Sequence, residues 1–176
     1  IQILEKVLES VAMQTFRRFE VIIADDGSKE SVVERIGQLQ KDYSFTIKHI
    51  WHEDIGWRKN EILNKAVCAA ETEYLVFIDG DCILESHFLE DHYNARQKGE
   101  VVTGRRVMLT RKVTEKLLAQ KLSQDSLKYG LFFQLLVETI FRGEKTLLER
   151  MIRLPKFLRN ILIKERKRFI LGCNFS

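Results

Sequence analysis

Apolar residues recur along the first hundred positions with two different periods, and the two periods alternate. Ile3, Leu4, Val7, Leu8 and Val11 follow the spacing of one helical face, which places the start of the chain inside a helix. Phe19 to Ala24 reads as a strand, broken by Asp25-Asp26-Gly27-Ser28. Ser28, with Ser31 close behind, offers an N-cap oxygen and predicts a helix to about Gln40. Tyr43 to Trp51 alternates as a strand, His52 to Gly56 reads as a loop, and a helix follows from about Trp57 to Ala70. The five consecutive apolar residues Tyr74 to Ile78 predict a strand buried on both faces, which stops at Asp79-Gly80-Asp81. A helix near Ser86 to Gln97 and a strand near Val101 to Met108 complete this half. Strand and helix alternating at such short intervals predict βαβ units: an α/β fold with a mainly parallel sheet flanked by helices.

After Thr110 the pattern turns to helices with almost no punctuation, at about 111–123, 127–141 and 144–163. The last contains Pro155, the single proline, which lacks an amide donor and should kink or divide it. Phe169 to Cys173 predicts a returning strand. The expected organisation is an α/β core over 1–109, a basic helical segment over 110–168 and a returning core strand over 169–176. A βαβ pattern that begins on a helix and stops just after a strand reads as truncated at both ends.

At 176 residues, 45% apolar and 31% charged, the composition is that of an ordinary soluble globular domain. Cys68, Cys82 and Cys173 are odd in number and lack metal-ligand spacing, so reduced thiols and a cytoplasmic setting are expected. No run reaches the 18 or so apolar residues of a membrane span. The net charge of +4 hides an asymmetry: residues 1–104 carry 12 Lys/Arg against 19 Asp/Glu, and residues 105–176 carry 17 against 6. The two halves are expected to meet different partners.

The acidic half holds the candidate chemistry. In a parallel sheet, strands end on the same side, so Asp25 and Asp26 should share one rim with Asp79 and Asp81, where open α/β sheets bind ligands. Carboxylates so close repel unless a cation joins them, and Mg2+ or Mn2+ accompanied by substrate phosphates suits the Asp-Gly-Asp pair. Asp-Gly-Asp also reads as a solvated turn, and Asp25 and Asp26 equally as acids favoured at the start of a helix. Arg58 and Lys59, at a helix start below this rim, suit a phosphate or form a solvated pair. His49, His52, His87 and His92 lack the i, i+4 spacing of metal ligands and are expected in surface or packing roles.

Ser10-Val11 with Gln14, then Phe19-Glu-Val-Ile-Ile-Ala-Asp-Asp-Gly-Ser28, then Asn64 through Glu73-Tyr-Leu-Val-Phe-Ile-Asp-Gly-Asp81, resemble the nucleotide-sugar domain of family 2 glycosyltransferases. The resemblance covers residues 1 to about 109. It implies a GT-A (Rossmann-like) fold and inverting transfer from a nucleoside diphosphate sugar, with UDP the favoured nucleotide, to a glycan or lipid-linked acceptor. It also implies Mn2+ or Mg2+ bridging the diphosphate. By matching positions it gives Asp25 and Asp26 base- and ribose-binding roles, with Ser28 the small polar residue after them. Asp79 becomes the acid near ribose and metal, and Asp81 the direct metal ligand. Leu63 stands where the commoner pattern has an Arg, and Lys59, four residues earlier on the same helical face, offers its ammonium instead. The general base lies, in that family, beyond the returning strand and thus beyond Ser176. Gly-Trp-Arg-Lys59, Asp-Gly-Asp-Cys82 and Gly104-Arg-Arg-Val107 look like a bacterial subgroup near the polysaccharide polymerases.

Between Arg150 and Arg168, eight Lys/Arg against the single acid Glu165 are interleaved with Met151, Ile152, Leu154, Phe157, Leu158, Ile161, Leu162 and Ile163. This basic amphipathic segment suits either a charged outer helical face or peripheral attachment to an anionic membrane at its inner surface. It has no interleaved aromatic platform, and nucleic acid is not an expected partner. Three other functions compete: a phosphatase, a nucleotidyltransferase, and a non-catalytic membrane- or partner-binding module on a relic fold. Haloacid-dehalogenase-type phosphatases share an Asp-x-Asp after a strand, but Ile83 stands where they carry Thr. A nucleotidyltransferase wants a Gly-rich phosphate loop at a strand end, and none is found.

Overall fold

The protein is described from a computed structural model over residues 1–142 and Phe175. The helix over 144–163 with Pro155, the basic segment 150–168 and the strand 169–173 expected above lie outside the described residues.

Helix α1 (Gln2–Ala12) leads to strand β1 (Val21–Asp25), helix α2 (Glu30–Asp42) and strand β2 (Ile47–Trp51). Helices α3 (Lys59–Ala69) and α4 (Phe88–Ala95) follow. Then come α5 (Arg111–Ala119), a π-helical turn (Ser126–Gly130) and α6 (Leu131–Arg142). β1 and β2 pair in parallel, with Val21 opposite Ile47 and Asp25 opposite Trp51. The right architecture is therefore α/β with a parallel sheet flanked by helices.

Side chains alternate between the faces of a strand, and here the alternation sorts the layers. Val21, Ile23 and Ile47 face α1 and α2, where they pack with Leu4, Leu8 and Leu39. Residues of the opposite parity face α3: Lys48 Nζ donates to the Ala69 carbonyl at 3.1 Å, at the end of that helix. α1 is amphipathic as its spacing predicts, burying Val7, Leu8, Ser10 and Val11. A second cluster joins Val7, Val11 and Leu84 to Phe19, Phe45, Ile78 and Phe88. A third, formed by Val113, Leu117, Leu122, Leu127 and Leu135, is packed by Met13 and Ile83. The helical part thus docks on the end of α1, where Glu9 Oε2 accepts the Leu122 amide at 3.0 Å and Lys6 Nζ donates to the Gln120 carbonyl at 2.8 Å.

Several elements differ from their sequence expectation. α2 begins at Glu30, and its N-cap residue, Lys29, makes no side-chain cap bond. Ser28 is not the cap because Asp25 Oδ1 accepts the Ser28 amide at 2.8 Å, folding that residue into the turn before the helix. β2 starts at Ile47, and before it the Phe45 ring packs in tilted contact with Tyr43, 5.1 Å away, and with Phe19, 5.3 Å away. The Tyr74–Ile78 and Val101–Met108 segments form no ladder among the described residues. Each has a single antiparallel bridge, Phe77 and Thr103 both pairing with Phe175. Phe77 and Phe175 exchange both backbone bonds, at 2.7 and 3.2 Å, and their rings stack 4.7 Å apart.

The segment after Asp-Gly-Asp is fixed by two wholly buried polar side chains of α1 and its exit, Ser10 and Gln14. Gln14 Nε2 donates to the Glu85 carbonyl at 2.7 Å, and its Oε1 accepts the Leu89 amide at 3.0 Å. Ser10 Oγ donates to the Val7 carbonyl at 2.6 Å and accepts the Leu84 amide at 3.0 Å. Removing one partner strands the other without water, which costs more than the bond itself contributes. Gln14→Leu is therefore expected to destabilise the fold by about 3 kcal/mol. Urea unfolding measures this, and a wild-type midpoint would deny Gln14 its anchoring role.

Candidate functional site

β1 and β2 end side by side, and one step past their last pair Asp26 and His52 meet through their side chains. Asp25 opposes Trp51 in that last pair. His52 Nε2 lies 2.6 Å from Asp26 Oδ1, and His49 Nε2 lies 2.9 Å from Asp25 Oδ2. Adjacent residues in a strand point to opposite faces, which divides the two acids. Asp25 is buried on the α1/α2 side, held by His49 and the Ser28 amide. Asp26 turns toward α3, where the Arg58 amide donates to its Oδ2 at 3.2 Å. A carboxylate at a helix start is favourable, because the helix dipole is positive there. The hydrogen bond from His52 is the main influence on Asp26 and holds its carboxyl below the usual aspartate range, against the opposing effect of burial.

Between β1 and the Asp-Gly-Asp segment lies a cavity of about 570 Å³. Its walls are apolar, with Ile22 and Ala24 of β1, Ile62 and Ala66 of α3, and Val76 and Ile78. At the carboxyl end of β1 the lining turns polar, with Asp26, Lys59 and Asp79 beside Trp57 and Gly80. Lys59 Nζ and Asp79 Oδ1 form an ion pair at 2.9 Å, with both side chains partly exposed. Trp57 is 88% exposed, a large apolar surface left in water at the edge of the opening.

The structure therefore brings some of the sequence-predicted site residues together and sets others apart. Asp26, Lys59 and Asp79 share the cavity. Asp25 closes its own turn from beneath, and Ser28 serves that turn through its backbone, its carbonyl accepting the Trp51 Nε1 hydrogen at 3.0 Å. The Arg58 guanidinium is engaged by Glu61 at 3.2 Å and by the Glu53 carbonyl, leaving its backbone amide on Asp26. Asp81 is exposed, with the Cys82 thiol 3.7 Å from its Oδ1, and is not among the cavity residues. Sequence reasoning missed His49 and His52, for which it sought a partner along one helix. The signal was the distance of 26 residues that separates both Asp25 from Trp51 and Asp26 from His52, once a parallel register is assumed.

No group of three or more metal-binding side chains gathers among the described residues. The donor set that exists, Asp79 with Asp81 two positions on, suits a hard divalent ion that brings phosphate oxygens with it, for such ions need only one or two protein carboxylates. No helix among the described residues is long and apolar enough to cross a membrane.

The sequence is similar to known proteins. A family model described as glycosyl transferase family 2 matches residues 1–172. An uncharacterized glycosyltransferase of Nostoc sp. is 31% identical over 99 residues, 56% of this chain and 30% of the relative. A cholesterol galactosyltransferase of Borreliella burgdorferi is 32% identical over 91 residues, 52% of this chain and 25% of the relative. A GalNAc(5)-diNAcBac-PP-undecaprenol beta-1,3-glucosyltransferase of Campylobacter jejuni is 30% identical over 79 residues, 45% of this chain and 25% of the relative. The aligned region thus spans less than a third of each of these relatives.

Two expectations follow from the turn. Gly27 has φ +94°, and a Cβ there would lie 2.6 Å from Asp54 Cβ and 2.7 Å from its Cα. Gly27→Ala should cost about 2 kcal/mol or more, through the left-handed backbone and the clash together, and lower the melting temperature; an unchanged melt would show that the turn yields. Because the folded-state pKa of Asp26 is depressed, its stabilising effect is present above the ordinary aspartate value and is lost as pH falls through the folded value. Asp26→Asn should therefore be less stable than wild type at neutral pH and converge with it in acid. Parallel stability curves across that range would contradict the His52 interaction.

Proposed function

The chain belongs to glycosyl transferase family 2, and on that premise we propose that it is the nucleotide-sugar-binding part of an inverting glycosyltransferase. The donor is a nucleoside diphosphate sugar, with UDP the favoured nucleotide, and the acceptor a glycan or lipid-linked sugar of cell-surface polysaccharide synthesis. The observation that carries this reading is the meeting of Asp26, Lys59 and Asp79 at the polar end of one cavity. An anionic ligand with hydroxyls and a cation needs acceptors, a mobile ammonium and a metal-competent carboxylate, and all three occur within one opening. The undecaprenol-linked name of one relative and the cholesterol named in another support a lipid-linked acceptor for this chain too.

In this reading Asp26 accepts hydrogen bonds from the base or ribose, and its rigid bonds to His52 and the Arg58 amide fix the direction of its remaining lone pairs. Lys59 exchanges Asp79 for phosphate oxygens when the donor enters. Asp79 and Asp81 would hold Mn2+ or Mg2+, which when bound supplies Lewis-acid neutralisation of the charge growing on the departing diphosphate. The basic segment 150–168 would place the enzyme on the anionic inner face of a membrane, near a lipid-linked acceptor.

Calorimetric titration with UDP, and with GDP for comparison, each in Mn2+ and in EDTA, tests the reading. Metal-dependent binding of one nucleotide is expected, whereas no binding of either under both conditions would sink it. Asp81→Ala should abolish the metal-dependent component, and unchanged affinity in that variant would remove Asp81 from the metal role.

A further inference from the structure

His52 is a buried titratable side chain, 7% exposed, for which the family resemblance implies no role. Its two ring nitrogens face different groups. Nε2 lies 2.6 Å from Asp26 Oδ1, and Nδ1 lies 3.4 Å from Lys65 Nζ. Lys65 is itself held on α3 by Glu61, one turn earlier, at 2.8 Å, and Glu61 also meets Arg58. Glu61 Oε1 is 3.9 Å from Nδ1, too far to accept a hydrogen bond from it. An ammonium has donors and no lone pair, so toward Lys65 the imidazole can only accept. Nδ1 then carries no proton, Nε2 carries it, and the one hydrogen that His52 owns points at Asp26.

From this chain of contacts we propose that His52 is a positioning residue for the donor site, with Lys65 selecting its tautomer and Asp26 receiving its hydrogen. The inference rests on the nucleotide-binding reading above and deepens it, adding Lys65 as the group that sets the hydrogen His52 presents to Asp26. Asp26 sits where β1 ends and has no ladder partner to hold it. With one oxygen bonded by His52 and the other by the Arg58 amide, the plane of its carboxylate is fixed. The lone pairs left over then have one direction, which a flexible carboxylate in water would not have. Positioning at this level governs affinity steeply, since small displacements of a binding group forfeit its contacts. Lys65, Glu61 and Arg58 lie on or at the start of α3, so the first turns of that helix, not the sheet alone, set the aim of the acid.

The test uses the whole chain with Mn2+ and UDP, or GDP if that is the nucleotide bound. His52→Leu should weaken binding about 10-fold or more, the scale of one hydrogen bond to a charged group. His52→Gln, whose amide nitrogen can take the place of Nε2, should recover most of that loss. Lys65→Met, at a half-exposed position that leaves the core untouched, should also weaken binding. In ring-15N spectra it should lose the signal pair of a histidine protonated at Nε2 alone. Wild-type affinity in folded His52→Leu, a His52→Gln no better than His52→Leu, or ring spectra unaltered by Lys65→Met would each overturn the proposal. Should His52→Leu fail to fold, the Lys65→Met affinity and spectra decide. Failure of the wild-type chain to bind either nucleotide refutes the donor-site reading itself, and the Lys65-dependent tautomer, read without ligand, separates that failure from this one.

Discussion

Gln14 is the constraint on which the rest of the acidic site depends. Its side-chain amide is fully buried and bonded at both ends to the backbone of residues 85–89, while Ser10 one turn earlier takes the Leu84 amide. A buried amide must be satisfied in place, so these bonds work as fixed lengths between α1 and the chain that leaves Asp-Gly-Asp. The Thr15 amide, which donates to the Ser86 carbonyl at 2.8 Å, extends the same seam. Apolar packing of Val7, Val11 and Leu84 alone would hold the layers together without choosing where along α1 the acidic turn sits. Hydrogen bonds are directional and choose it.

The parallel pair β1/β2 makes the second decision. Asp25 and Asp26 are chemically identical neighbours, yet strand alternation sends them to opposite layers with a histidine each. One becomes a structural cap on the turn that Gly27 allows, and the other faces α3 and the cavity. The distinction matters for function because a buried acid satisfied by its own turn has little left to offer a ligand, whereas Asp26 keeps part of its acceptor capacity toward the opening. The Lys59–Asp79 pair has a similar consequence across the cavity. A partly exposed ion pair is weakly bound, on the order of 1 kcal/mol or less, so its partners are readily exchanged for stronger ones.

Much of the fold was legible along the chain. The helical face of α1, the βαβα order from Phe19 to Ala70 and the acidic breaks at Asp25 and Asp79 all reside in local periodicity, which survives without knowledge of neighbours. The resemblance of residues 1–109 to family 2 glycosyltransferases was legible too, and the family match over 1–172 agrees with it. Boundaries were less so. Ser28 looked like a cap until Asp25 took its amide, and Tyr74–Ile78 looked like a buried strand although its described backbone pairing is confined to Phe77 and Phe175.

The sequence by itself determined which residues carry charge, which segments can be helix or strand, and that two acidic pairs would interrupt apolar runs. Only the tertiary structure decided which of them face a common space. Asp26 and Asp79 are 53 positions apart, Lys59 lies between them, and nothing in their local patterns shows that an ammonium would join one acid while a histidine joined the other. Those choices depend on register between strands and on the place where α3 docks, both set by contacts between residues distant in sequence. Local propensity has no access to such distances, because a side chain's partners are fixed by packing rather than by its neighbours along the chain.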